Sequence, residues 1–158
     1  MARDHYIVPT APSEESTTVR LGAGNAVGDR FADVDEGKLV KLVGESRYNL
    51  CAVGDEIEGV VSSVESATQN GYSIGGIVTE GRIYARADGL QATPGTGVLA
   101  VGDYVVAGTV TAKGTDLTDF PKVVKATSQT GIRFMWRVVS LGTVGTGAVG
   151  TTVVIERL

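Results

Sequence analysis

The sequence predicts an all-β protein: a single compact antiparallel β-sandwich or barrel, jelly-roll-like, of about eight short strands, with an extended N-terminal arm. Three observations predict it. Glycine supplies 22 of 158 residues, about twice the usual share, and is scattered without the period of three that marks collagen. Between residues 29 and 114 the longest glycine-free stretch is 60–70, which is rich in valine and serine, so a helix of ordinary length has almost nowhere to sit. The remaining segments are short β-branched runs bounded by glycine turns, several with strict alternation.

Taken in order, residues 1–30 read as the arm. Pro9, Pro12, a polar stretch from Ser13 to Thr18 and then Gly22, Gly24 and Gly28 show no period of 2 or 3.6. The apolar cluster Tyr6, Ile7 and Val8 before Pro9 suits a docking arm better than a solvating tail. Residues 31–158 read as the β-domain, with strands at Lys38–Val43, Glu56–Val64, Tyr72–Thr79, Gly81–Ala87, Tyr104–Val110, Lys122–Ala126, Arg133–Ser140 and Thr151–Leu158. Ile83, Ala85 and Ala87 oppose Arg82, Tyr84 and Arg86, while Phe134, Trp136 and Val138 oppose Arg133, Met135 and Arg137; in each set one face is core. Asn70-Gly71 is a type I′ turn signal, because both central positions of that turn need positive φ, so strands 56–64 and 72–79 should pair antiparallel. Between Thr115 and Thr130, Pro121 leaves room for one short helical turn at most.

Ala-Val-Gly-Asp recurs at 26–29, 52–55 and 100–103, with Ala-Val-Gly-Thr at 148–151; the last two spacings are both 48 residues. Glycine supplies a turn and aspartate accepts a nearby backbone N–H, so each copy reads as a tight turn launching a strand. Similarity does not extend across the whole unit, which argues for recurrent turn chemistry rather than a repeat architecture.

Composition excludes several function classes. A formal charge of −4, with no three basic residues together, excludes a phosphate-neutralising surface, so no nucleic-acid partner is expected. No run approaches eighteen apolar residues and no apolar h-region follows Met1, so neither a membrane partner nor secretion is expected, and synthesis in the cytoplasm follows. Cys51 is the sole cysteine and His5 the sole histidine, which leaves no intrachain disulfide and no zinc site. A Cys51–His5 nucleophile and base would need a fixed geometry that the arm does not promise, and Cys51 reads as a small buried side chain.

Gly145-Thr-Gly147-Ala-Val-Gly150 matches the dinucleotide pattern GxGxxG. That fingerprint needs a following helix and a later acidic residue, whereas only a strand-like tail remains, so the segment reads as a hairpin loop. Carboxylates at Asp33, Asp35, Glu36 and at Asp55, Glu56, Glu58 could supply calcium oxygens but read better as solvated charges guarding a turn and a strand. Nothing signals paired catalytic carboxylates. No catalytic, metal or cofactor site is therefore expected, and the chain reads as a non-enzyme. Trp136, beside Met135 and Arg137, reads mainly as core with Phe134, and its alternative role is an oligomer-interface anchor.

In order along the chain stand Gly37-Lys-Leu-Val-Lys-Leu-Val43, Ala52-Val-Gly-Asp-Glu-Ile-Glu-Gly-Val-Val61 and Tyr72-Ser-Ile-Gly-Gly-Ile-Val-Thr-Glu-Gly81. Then come Ala100-Val-Gly-Asp-Tyr-Val-Val-Ala107, Trp136-Arg-Val-Val-Ser140, a Gly/Thr/Ala loop and the strand 151–158. This order, over some three quarters of the chain, resembles the bacteriophage capsid cement or head decoration proteins. The resemblance implies a β-fold on the capsid exterior of the virion, bridging major capsid proteins as a homo-oligomer, a trimer or a dimer. Contacts to the shell are then expected from Tyr6, Ile7 and Val8, with Arg3 and Arg20 available to acidic groups. Other readings are a tail- or fibre-associated structural domain and a carbohydrate-binding β-sandwich.

Overall fold

A computed structural model describes residues 16–24, 27–65 and 73–157. Its strands form two closed rings. The first contains β1 (Ser16–Leu21), β2 (Leu39–Gly44), β3 (Arg47–Leu50), β4 (Gly59–Glu65) and β5 (Ser73–Val78), in the barrel order β1-β3-β2-β4-β5. The second contains β6 (Arg82–Leu90), the two-residue β7 (Thr93–Pro94), β8 (Tyr104–Ala107), β9 (Lys122–Lys125), β10 (Trp136–Ser140) and β11 (Thr152–Arg157). Its order is β11-β10-β8-β9-β6-β7, and a further β11–β6 pairing closes the first five of these into a ring with β7 outside it. Closure removes sheet edges, which a chain of short strands otherwise leaves open to other chains.

Alternation builds both cores. In β2 and β4 successive residues face opposite ways: Val40 and Val61 enter the first core with Val19, Leu21, Phe31 and Ile77, while Leu39 and Val60 enter the second with Ile83, Ala85, Trp136, Val153 and Ile155. One wall serves both barrels, which fuses them into a single body. The outward set Arg82, Tyr84, Arg86 and the inward set Ile83, Ala85, Ala87 fall as the alternation predicts. β4 and β5 pair antiparallel as expected, and the Asn70-Gly71 turn lies outside the described residues.

Four details differ from the sequence reading. Ser16–Leu21, placed there in the arm, is a barrel strand paired along its whole length with β5, so the β-domain begins before residue 31. The short Arg47–Leu50 adds a strand with few β-branched residues, and the described strands number eleven. The pairings are not all antiparallel: β1–β3 and β6–β9 are parallel, because these rings close between strands distant in sequence. Strand β10 starts at Trp136 rather than Arg133, since the N–H groups of Arg133 and Phe134 turn aside to the Glu56 carboxylate.

The recurrent turns are one device used three times. Asp55 Oδ2 accepts the Ala52 N–H at 2.6 Å and Asp103 Oδ2 accepts the Ala100 N–H at 2.8 Å. Gly54, Gly102 and Gly150 all take positive φ, at 85°, 92° and 85°. Each turn then grips one residue of a neighbouring strand through two backbone bonds. Gly54 N–H donates to Ala107 O and Ala107 N–H to Asp55 O; Gly102 and Asp103 hold Val138 in the same way, and Gly150 and Thr151 hold Ala87. The gripped residues are all core.

Candidate functional site

Strand β10 runs antiparallel to both β8 and β11, so β8 and β11 start at the same end of the second barrel. The loops that lead into them, 91–103 and 141–151, meet there. Val98 and Ala148 form an antiparallel bridge, and Leu99 N–H donates to Gly147 O at 2.9 Å. Contact is close enough that a Cβ on Gly147 would stand 1.8 Å from Leu99 O, so only glycine fits. Leu99 is buried beneath the junction, and Thr151 Oγ ties the second loop down by donating to Thr146 O and Ala148 O.

On this braced platform Val98 and Val101 are 61% exposed and Val144 is 66% exposed. Neither 89–102 nor 138–155 contains a charged residue. Within the meeting loops 91–103 and 141–151 the one charged residue is Asp103, paired with Lys125 at 2.9 Å, so this end is poor in charge on a chain that carries −4 overall. Exposed valines scattered singly are ordinary; here three stand on two loops that are bridged to each other.

Beside this end lies a cleft of about 250 Å³, between the outer side of β6 and the loop 108–121, with Val149 and Gly150 on its rim. The loop is pinned by a buried ion pair. Lys38 Nζ donates to Asp35 Oδ1 at 2.5 Å, to Ala112 O at 2.7 Å and to Thr115 O at 2.6 Å, while Asp35 also accepts the N–H groups of Gly114 and Ala32, each at 2.8 Å. Asp35 is thus no solvated guard of a turn, and neither is Glu36: the sequence reading is corrected, since both carboxylates and Lys38 are buried. Along the cleft, Arg86 pairs with Asp119 at 2.6 Å, and Phe120 stacks on Tyr84 with ring centroids 5.4 Å apart.

The other expected residues fall as follows. Trp136 is wholly buried and its indole N–H donates to Ile57 O at 3.0 Å, so the expectation of an oligomer-interface anchor is corrected to the core role. Arg20 sits partly buried in β1, opposite Ile74 of β5 and Arg47 of β3. Arg3, Tyr6, Ile7 and Val8 lie outside the described residues, as does His5. Cys51 is buried, its thiol is pushed up mainly by desolvation, and its Sγ lies 3.6 Å from Glu56 O. Glu58 is also shifted up, first by burial. Among the described residues no three His, Cys, Asp or Glu side chains converge as a metal site. The segment 145–150 is a loop between β10 and β11 with a strand after it, the arrangement expected for a hairpin rather than a nucleotide cradle.

Fold and surface together define a double-barrel β-protein with exposed valines on two bridged loops at one end. No family model matches the chain, and neither a curated protein nor a solved structure matches it. No described helix is long and apolar enough to cross a membrane.

Proposed function

We propose that this chain is a structural virion protein that binds the outer surface of a bacteriophage capsid and stabilises the mature head by bridging major capsid proteins. One observation carries the reading: Val98, Val101 and Val144 are held exposed on two loops bridged to each other, which supplies a preorganised apolar patch whose ordering entropy is already spent. The order of segments that resembles the cement proteins supports it from the sequence side. Arg3, Tyr6, Ile7, Val8 and Arg20 are the proposed contacts from the N-terminal side.

The energetics suit the task. A ligand that binds only the assembled shell stabilises it by about 2.7 kcal/mol per site at a hundredfold excess over Kd, and the effect repeats over every lattice position. A homo-oligomer, dimeric or trimeric, adds avidity on a symmetric surface.

The test is sedimentation of a lysate from the native source, with mass spectrometry of each fraction. The chain should travel with megadalton particles dominated by one shell protein, and V101D/V144D should shift it to the light fractions while the melting temperature stays unchanged. A wild-type chain confined to the light fractions overturns the reading.

A further inference from the structure

The cleft beneath loop 108–121 contains a buried carboxylate with one oxygen left over. Asp88, near the end of β6, is 5% exposed, and its Oδ2 accepts both the N–H of Thr109 at 2.8 Å and its hydroxyl at 2.6 Å. Among the described residues nothing donates to Oδ1, and no cation lies within ion-pair distance of it. The neighbouring cations have their own partners. All three donors of Lys38 are engaged, and Arg86 bonds Asp119 and the carbonyl of Gly150. Lys122 lines the rim but is exposed and makes no ion pair with Asp88. Oδ1 opens on the cleft with its hydrogen-bonding position free, and a positively charged donor can occupy it.

We propose that this cleft binds a primary alkylammonium group, with the ammonium on Asp88 Oδ1 and the methylene stem along Leu39, Leu117 and Pro121. A guanidinium is disfavoured because its fork wants both oxygens of a carboxylate, and Thr109 already takes one; an ammonium is a point charge that one oxygen satisfies. A divalent cation would need several oxygen ligands, and among the described residues no three His, Cys, Asp or Glu side chains come together here. The volume, about 250 Å³, is below the roughly 300 Å³ where drug-sized pockets begin, which suits a single side chain or a short amine. The same chemistry belongs to a lysine of a partner protein and to a free diamine. The site stands on the geometry of this chain and does not depend on the capsid reading.

The experiment titrates the full, ¹⁵N-labelled chain with Nα-acetyl-lysine methylamide, its norleucine analogue, butylammonium and diaminobutane, following the Thr109 amide that donates to Asp88. The ammonium compounds should shift that resonance in a saturable way and the norleucine analogue should not. Tighter binding of the capped lysine assigns the site to a protein lysine, and tighter binding of diaminobutane assigns it to a free amine. Asp88→Asn, which keeps an acceptor for Thr109, should weaken binding about tenfold or more. Lys122→Ala, which removes the competing rim cation, should strengthen it and serves as the deciding variant if D88N fails to fold. Equal shifts from norleucine and lysine, no saturable shift from any amine, or affinity unchanged in both variants overturns the proposal.

Discussion

Lys38 shows how one residue can hold a loop that no strand holds. Its ammonium joins Asp35 to the carbonyls of Ala112 and Thr115, so removing it leaves a fully buried carboxylate without its cation. Lys38→Met should therefore cost about 3–5 kcal/mol in urea unfolding, and K38M/D35N should cost less than K38M alone because the stranded charge is gone. A K38M midpoint equal to wild type would contradict this account. The sequence concealed the pair, since Asp35 sits among acidic neighbours that look like a solvated turn and the carbonyls of Ala112 and Thr115 that complete the coordination of Lys38 are remote along the chain. Glu58 is the residue that links stability to pH. Burial raises its carboxyl above the ordinary 4.5, so the protonated form is the one favoured by the fold; this contribution is complete at pH below 4.5 and is lost as pH rises through the raised folded value. Glu58→Gln should accordingly melt slightly higher than wild type at neutral pH, with the difference vanishing as the pH falls below 4.5. Calorimetry across that range checks both sign and window.

At the scale of elements, the gripping turns explain why strands of four or five residues stay in register. Each turn replaces a missing ladder partner: Ala107 lies past the two residues of β8 that pair with β10, and the 52–55 turn takes up the bonds that β10 leaves open there. Asp55→Ala and Asp103→Ala should each cost about 1 kcal/mol by freeing the Ala52 or Ala100 N–H. Hydrogen exchange should then accelerate at Ala107 in the first variant and at Val138 in the second, each leaving the other amide protected; acceleration at both sites in either variant would mean the turns act only through global stability. The turns were legible in the sequence because their chemistry is local: a glycine for positive φ and an aspartate three residues after the N–H that it accepts. The strands with clean alternation, such as Arg82–Ala87, were legible for the same reason. β1 and β3 were not: Ser16–Leu21 follows a polar stretch and becomes a strand through β5, far along the chain, while Arg47–Leu50 offers no β-branching and becomes a strand by closing a short hairpin onto β2. The apolar end escaped notice too, since Val98, Val101 and Val144 stand in aperiodic glycine–threonine loops whose meeting is a tertiary event.

For the whole molecule, where the body begins decides how any arm is tested. Cutting at residue 20, inside the 1–30 segment that the sequence reads as an arm, would remove structure as well as contacts: residues 16–20 pair with Val78, Ile77, Gly76, Gly75 and Ile74 of β5, and Val19 belongs to the first core. Without them β5 keeps only its β4 partner, the ring opens, and the wall that β2 and β4 share with the second barrel loses its support. Deleting residues 2–20 should therefore lower the melting temperature by several degrees or more, about 1 kcal/mol corresponding to 2–4 °C at this chain length. Deleting residues 2–15 leaves every described strand intact and should melt close to wild type. That shorter truncation separates binding from folding. If Arg3, Tyr6, Ile7 and Val8 contact a shell, it should sediment less with particles than the intact chain while remaining folded. Unchanged co-sedimentation would remove those four residues from the mechanism and leave the valine end as the contact to be tested. Equal melting of the two truncations would instead show that β1 adds nothing to the first barrel, against the pairing and burial that place it there.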